Sequence, residues 1–163
     1  MRLLASGPAL LQVWEEIDFV DIPGRLIPEW LAIRNRPSAS AAHRYTIDRH
    51  SVEVVTRLGR ETPRGNRYDD RHYQALLLAG ILHDVGKRPG VADHAAEGAR
   101  HASMVLKRMG FDRDIIWWVT LLVREHLTLS EFATGQNPND PNVGDELASR
   151  LDHDRCCLTC CSI

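Results

Sequence analysis

One unusually apolar segment constrains the fold of this chain more than any other feature. Every position from Ala75 to Leu82 is apolar, and the run leads into Leu82-His83-Asp84-Val85-Gly86-Lys87. A helix that is apolar on every side is buried within its domain, so the pattern predicts a central buried helix over His72–Asp84. A histidine and an aspartate at the end of such a helix are costly to bury alone. A cation bound by both would remove that cost.

The rest of the chain shows the 3.6-residue periodicity of amphipathic helices. Turn residues at Pro23-Gly24, Gly59 and Gly110 are expected to end or separate them. The predicted helices are Pro8–Val20, Leu26–Ile33, Ile47–Leu58, Asp93–Met109, one that Asp112 caps and that carries Ile115 to Val123, and one from Asp145 to about Leu158. No segment has a sequence pattern that favours a strand. The predicted fold class is therefore all-α, a bundle of about six to eight helices.

Three segments are expected along the chain. Residues 1–42 form a helical lead-in, residues 43–150 the main domain, and residues 151–163 an atypical tail. All four cysteines lie in that tail, at Cys156, Cys157, Cys160 and Cys161. Cys-x-x-Cys is a common half-site for zinc, but two adjacent pairs on one short segment suit a tetrahedral ion poorly. An altered or truncated end of the domain is therefore the other interpretation, and no disulfide framework is expected.

Composition removes several classes of function. With 163 residues and a formal net charge of -2, the chain can build one core but offers no basic field for nucleic acid. No apolar run reaches the ~20 residues of a membrane span, and residues 1–8 lack the apolar centre of a signal peptide. We therefore expect a cytoplasmic protein that contacts neither nucleic acid nor membrane.

Three further histidines, His50, His94 and His126, lie on predicted helices before and after the His83-Asp84 pair. Each alone has a simpler explanation: a surface or core residue, the exposed start of a helix, or a partner for the negative end of a helix dipole. Considered together with His83 and Asp84, they form a set of imidazole and carboxylate ligands. The remaining histidines are predicted to be structural or solvated: His43, His72, His101 and His153.

Mixed nitrogen and oxygen ligands indicate which cofactor to expect. Such a set suits Mn²⁺, Fe²⁺, Zn²⁺ or Co²⁺, with Mg²⁺ less favoured by so many nitrogens; we predict Mn²⁺ first. An ion of this kind lowers the pKa of bound water and promotes hydrolysis. Lys87 follows the pair closely enough to neutralise a phosphate oxygen, although a solvated lysine at a helix end is the alternative. Asp84 and Lys87 are thus the predicted catalytic residues.

The order of these residues resembles the HD superfamily of metal-dependent phosphohydrolases, whose pattern is His…His-Asp…Asp. A closer resemblance, over roughly residues 8–150, is to the HD domain of the bifunctional PII uridylyltransferase/uridylyl-removing enzymes. Four blocks in order carry it, together with Leu26-Ile27-Pro28-Glu29-Trp30: HRYTIDRH at 43–50, AGILHDVGK at 79–87, DHAAEGA at 93–99 and LVREHLTLS at 122–130.

The resemblance implies a site and a reaction. It assigns the metal to His50, His83, Asp84, His94 and His126, and we predict that Lys87 and Arg124 bind the substrate. The implied reaction is hydrolysis of the phosphodiester that joins UMP or AMP to a tyrosine of the nitrogen-signalling protein PII. The expected partner is therefore a nucleotidylated PII-type protein or, for relatives with a nucleotide pocket, a free nucleotide phosphoester.

Several positions depart from that family pattern. Glu125 stands where another histidine is usual, and the loop after Gly135 lacks the usual Arg-Arg-Asp character. Leu158–Ser162 lacks the closing aspartate, for which Asp152 or Asp154 are poor substitutes. The family's nucleotidyltransferase and ACT domains have no counterpart here, so uridylylation is not expected. A metal-binding or regulatory remnant without activity is therefore the competing hypothesis.

Overall fold

Helices alone build the part of this chain that the structure describes. The structure is a computed structural model, and it describes residues 1–38, 44–61, 70–135, 140, 142–146 and 148–149. Within these residues the β-structure is limited to an isolated antiparallel bridge between Pro37 and Thr46. The helices are α1 (Ala9–Phe19), α2 (Ile22–Leu26), α3 (Ile47–Glu61), α4 (Asp70–Leu82), α5 (His94–Arg108), α6 (Arg113–Arg124) and α7 (Thr128–Gly135), with 3-10 helices at Leu4–Ser6 and Pro28–Ala32. The predicted all-α class is confirmed.

The predicted ends of α5 and the start of α6 have the expected capping chemistry. The side chain of Asp93 accepts a hydrogen bond from the Ala96 N–H at 2.8 Å, which satisfies a backbone donor of the first turn of α5. Asp112 does the same for α6 by accepting from the Ile115 N–H at 3.1 Å. Gly110 follows α5 with φ at 77°, the left-handed conformation that glycine adopts at this position without strain.

Two helix boundaries that were predicted from glycines are wrong. Gly59 does not end α3, which continues to Glu61; a Cβ on Gly59 would lie 3.0 Å from the Gly7 nitrogen, so this glycine instead allows the N-terminal segment to approach the helix. Pro23-Gly24 does not separate helices either, because both residues lie in α2. The break falls at Asp21, whose φ of 59° turns the chain between α1 and α2.

The central helix is as buried as its sequence predicts, but it ends earlier. Leu77, Ile81 and Leu82 of α4 are each at most 2% exposed. The helix stops at Leu82, and the Val85 N–H then donates to the Leu82 carbonyl in a tight turn. The sequence predicts that His83 and Asp84 lie on the helix. In the structure they lie in the turn that follows it.

The lead-in shares one core with the helices that follow it. In the bundle α4 packs against both α3 and α6, and α5 packs against α6. Leu10, Trp30 and Ile33 from the first 42 residues are fully buried in the same apolar cluster. The nearly buried carboxylate of Glu29 also forms an ion pair with Arg108 of α5 at 2.8 Å. The lead-in is thus packed as part of the bundle, and the domain boundary at residue 42 stays a prediction.

Two further predictions concern the end of the chain and the membrane. The predicted C-terminal helix is helical at its described positions, 145–146 and 148–149, and the helical conformation already begins at 142. The cysteine-containing tail lies outside the described residues. Among the helices that the structure describes, none is both long enough and apolar enough to cross a membrane.

Candidate metal centre

The five predicted ligands come from four separate places in the chain and meet at one point of the bundle. His50 lies on α3, the His83-Asp84 pair follows α4, His94 begins α5 and His126 follows α6. Their ligand atoms form two overlapping groups that share Asp84, and within each group these atoms lie within 4.8 Å of one another. One group consists of His50, His83 and Asp84, and the other of Asp84, His94 and His126. The structure therefore brings all five residues together.

A contact between two glycines sets the distance between the His83-Asp84 turn and α5. A Cβ added to Gly86 would lie 2.3 Å from both the Gly98 nitrogen and the His94 carbonyl oxygen. Backbone therefore packs directly on backbone here, which brings His94 next to Asp84. The local sequence pattern does not predict this contact, so the roles of Gly86 and Gly98 were missed. The available signal was a glycine inside a helix, which costs about 1 kcal/mol relative to alanine and usually has a packing reason.

Asp84 stands at the centre of the cluster. Its Oδ1 lies 3.7 Å from the Nε2 of His126 and 4.0 Å from the Nε2 of His94. Its Oδ2 lies 3.6 Å from the Nε2 of His83. These separations are too long for hydrogen bonds. They match the spacing of two ligands that each bind one ion at about 2.0–2.2 Å.

Backbone carbonyls orient two of the imidazoles. The Nδ1 of His83 lies 2.9 Å from the Gly80 oxygen, and the Nδ1 of His126 lies 2.6 Å from the Val123 oxygen. A carbonyl only accepts hydrogen bonds, so Nδ1 carries the proton in each ring. The Nε2 lone pairs are therefore presented to the cluster, the arrangement usual for histidines that bind metals.

The burial of unpaired polar atoms tests whether the site fits a cation. The Nε2 atoms of His94 and His126 are buried without hydrogen-bond partners, and the Asp84 side chain is only 3% exposed. Buried polar atoms without partners are rare in native proteins and need an explanation. A divalent ion held by imidazole nitrogens and a carboxylate supplies it, so the residues present fit a transition-metal ion.

Burial and charge keep these groups in the protonation states that bind metal. Burial lowers the pKa of His83 to about 4, despite the opposing effect of Asp84. Burial also lowers the pKa of His94, and the positive charge of Lys87 adds to that effect. For Asp84, burial favours the neutral acid, but His83, Lys87 and His126 outweigh it and hold the pKa below its usual value. At neutral pH His83 and His94 are therefore neutral imidazoles beside the ionised Asp84 carboxylate.

The two predicted substrate-binding cations have different surroundings. The Lys87 ammonium lies 3.3 Å from the Oδ2 of Asp84 and is mostly shielded from solvent. Arg124, the last residue of α6, is about half exposed and lies 3.8 Å from the Glu125 carboxylate. It lines a pocket of about 370 Å³ that also borders His94. Both cations are thus near the cluster, and their roles with a substrate stay predictions.

The other histidines that the structure describes, and Glu125, have partners outside the ligand cluster. His72 is exposed against the edge of Trp118, and buried His101 lies 2.9 Å from the Glu97 carboxylate, so neither joins the cluster. Glu125, in the position where another histidine was expected, accepts a hydrogen bond from the Thr128 hydroxyl and so stabilises the turn between α6 and α7. Four residues considered in the sequence lie outside the described residues: His43, Asp152, His153 and Asp154.

Comparison with known proteins places this site in a family. Residues 47–155, more than half of the chain, match the family model of the HD domain. The chain therefore belongs to the HD-domain family, whose members bind divalent metals, and its His/Asp cluster is a possible metal-binding group. This membership supports a metal-dependent hydrolase function.

Curated relatives are similar over nearly the whole chain. It is 41% identical over 142 residues to a bifunctional uridylyltransferase/uridylyl-removing enzyme of Streptomyces coelicolor, covering 86% of this chain and 16% of that protein. A protein of the same description from Mycobacterium tuberculosis is 35% identical over 152 residues, covering 93% and 18%. The chain thus spans less than one fifth of the length of these relatives. No solved structure matches the chain.

Proposed function

We propose that this chain hydrolyses the phosphodiester between a nucleotide and a tyrosine of a PII-type protein, releasing UMP or AMP. The observation that carries the proposal is the convergence of His50, His83, Asp84, His94 and His126 in a chain similar to uridylyl-removing enzymes. We further propose Mn²⁺ as the ion and the cytoplasm as the location. The hydrolytic step forms a bond from a water oxygen to phosphorus and breaks the bond to the tyrosine oxygen, which takes up a proton.

Each part of the site has a distinct role in this proposal. The four imidazoles and Asp84 would hold the ion, which when bound supplies Lewis acidity and lowers the pKa of water. Lys87 places a positive charge beside Asp84, where it can stabilise charge that develops on phosphate oxygens. Arg124 borders the pocket next to His94 and can pair with a phosphate oxygen from that side. Because Asp84 is almost completely buried, electrostatic interactions with it are stronger than they would be in water.

The direct test is incubation of the protein with uridylylated and adenylylated PII in the presence of Mn²⁺. Mass spectrometry of the released nucleotide should detect UMP, AMP or both, together with unmodified tyrosine. Hydrolysis of bis-p-nitrophenyl phosphate provides a second readout that needs no protein partner. Turnover of this ester without release from either PII form would contradict the PII substrate while retaining the phosphodiesterase function. Bound metal with no turnover of any phosphoester would favour the non-enzymatic alternative.

A further inference from the structure

A polar pocket of about 370 Å³ lies next to the metal cluster and is bounded by the first turns of α5 and α7. His94 lines this pocket and also belongs to the ligand group with Asp84 and His126. The volume lies in the range of about 300–1,000 Å³ that small-molecule sites occupy. A substrate whose phosphorus lies at the cluster can therefore extend past His94 into the pocket.

Carboxylates contribute much of the polar lining. Asp93, Glu125 and Glu131 all line the pocket. Asp93 is held in place by capping α5, and Glu125 is held by the Thr128 hydroxyl. Because ionised carboxylates only accept hydrogen bonds, this lining suits a ligand that is rich in O–H and N–H donors. Arg124 adds a cation to the same lining, which can pair with the ligand's phosphate.

The two halves of the proposed substrate differ in shape. A nucleoside is small and carries ribose hydroxyls and base N–H groups. A tyrosine on a folded protein instead arrives with a surface, and protein partners typically need about 800 Å² of open contact each. A concave pocket with carboxylate acceptors matches the nucleoside and not the protein.

We propose that this pocket holds the nucleoside half of the phosphodiester and that Glu131 is a residue that determines specificity for nucleotide esters. The proposal rests on the phosphodiesterase function proposed above. Glu131 is exposed on the first turn of α7. Asp93 caps α5 and Glu125 accepts from the Thr128 hydroxyl in the turn before α7, so a substitution at either would also disturb the fold.

Two chromogenic esters separate recognition of the nucleoside from the chemistry. The p-nitrophenyl ester of UMP carries the nucleoside. In bis-p-nitrophenyl phosphate, a second nitrophenyl ring without hydroxyl groups replaces that nucleoside. Glu131→Ala should lower kcat/KM for the UMP ester about tenfold or more beyond any loss on bis-p-nitrophenyl phosphate, mainly by raising KM. Glu131→Gln should show a smaller loss because its amide oxygen still accepts. The matched control is Glu16→Ala, at an exposed glutamate on α1, which should change neither ester's kcat/KM.

The outcomes separate this inference from the proposed function. Equal losses on the two esters, or no loss on either, would overturn the role of Glu131. If the wild-type protein hydrolyses neither ester, the phosphodiesterase proposal fails, and the pocket is then tested by calorimetric titration with UMP in the presence of Mn²⁺. A second variant, Ala92→Trp, introduces a large side chain at the exposed rim of the pocket. UMP affinity should fall about tenfold in Glu131→Ala and in Ala92→Trp. An affinity that is unchanged in both of these variants, or an absence of UMP binding to the wild type, would overturn the inference.

Discussion

The two sides of Asp84 present the same kinds of ligand in different surroundings. On the side of α3 and α4, His50 and His83 contact each other with ring centroids 5.2 Å apart, and the His83 side chain is 12% exposed. On the other side, His94 is 26% exposed and borders a pocket of about 370 Å³. Either ligand group can hold an ion, and among the described residues a pocket with space for a substrate borders His94. We call the side of His94 and His126 the open side and the side of His50 and His83, with its less exposed His83 ring, the closed side. Ligand identity alone therefore does not distinguish the two sides, whereas their surroundings do.

The largest effect is expected at the residue that both sides share. Asp84→Asn removes the negative charge at the centre of both ligand groups, so bound metal and phosphodiester hydrolysis should both fall about 1,000-fold or more. Metal analysis of the purified protein and turnover of bis-p-nitrophenyl phosphate measure the two losses. Asp145→Asn, at an exposed aspartate, is the matched control. Metal retained at the wild-type level in Asp84→Asn would show that the two sides do not meet at this carboxylate.

The next prediction separates the two sides without changing a ligand. In Gly86→Ala the new methyl group would lie 2.3 Å from backbone atoms of α5, so the turn and the helix must move apart. We expect a loss of about 2–3 kcal/mol in the free energy of unfolding and a loss of metal affinity of about 100-fold. Chemical denaturation and metal titration measure these effects. The control is Gly144→Ala, where the added methyl meets nothing within 4 Å; equal behaviour of the two variants would contradict the close contact.

Removing one histidine from each side tests the comparison directly. His83 is held by the Gly80 carbonyl and is the less exposed ring, so His83→Ala should lower metal affinity by about 100-fold. His94→Ala should lower it by only about tenfold, because water can enter from the pocket and replace the lost ligand. Metal titration followed by calorimetry measures both, with His72→Ala as the control outside the cluster. A larger loss for His94→Ala would reverse the assignment of closed and open sides.

The last prediction concerns the pH dependence of the closed side, where no residue is replaced and the fold is kept. The folded-state pKa of His83 is about 4, below the 6.5 of an unperturbed histidine. The unfolded chain therefore binds more protons between these values, and the stability of the metal-free protein should fall as the pH decreases from 6.5 towards 4. The loss is on the order of 2–3 kcal/mol, and the lowered pKa of His94 acts in the same direction.

Thermal unfolding in the presence of EDTA measures this dependence. His83→Gln cannot take up a proton in that range, so its melting temperature should depend less on pH than that of the wild type. The same slope in both proteins would show that burial of His83 is not the cause.

Several features of the fold could be predicted from local sequence. The apolar run before His83 predicted the buried central helix, and Leu77 and Leu82 are indeed almost completely buried. Asp93 and Asp112 predicted the starts of α5 and α6 because their short side chains satisfy backbone donors a few residues away. These predictions hold because the interactions concerned lie within one helix or at its end.

The errors arose where a residue's partner is distant in the chain. Gly59 suggested a helix end, but its reason is the approach of Gly7 about fifty residues earlier. His83 and Asp84 were placed on a helix, whereas a turn that packs against Gly98 carries them. Local periodicity contains no information about such contacts, because a glycine that permits a turn and one that permits a close approach have the same side chain.

The amino-acid sequence by itself determined that this protein is helical and which side chains can bind a metal ion, because helical periodicity and ligand chemistry are properties of local residue types. Only the tertiary structure decided that four distant segments meet at Asp84, and that a pocket borders the meeting point at His94. Those outcomes depend on how the packed helices approach one another. The Gly86–Gly98 contact sets one such distance, and it exists only in the folded bundle.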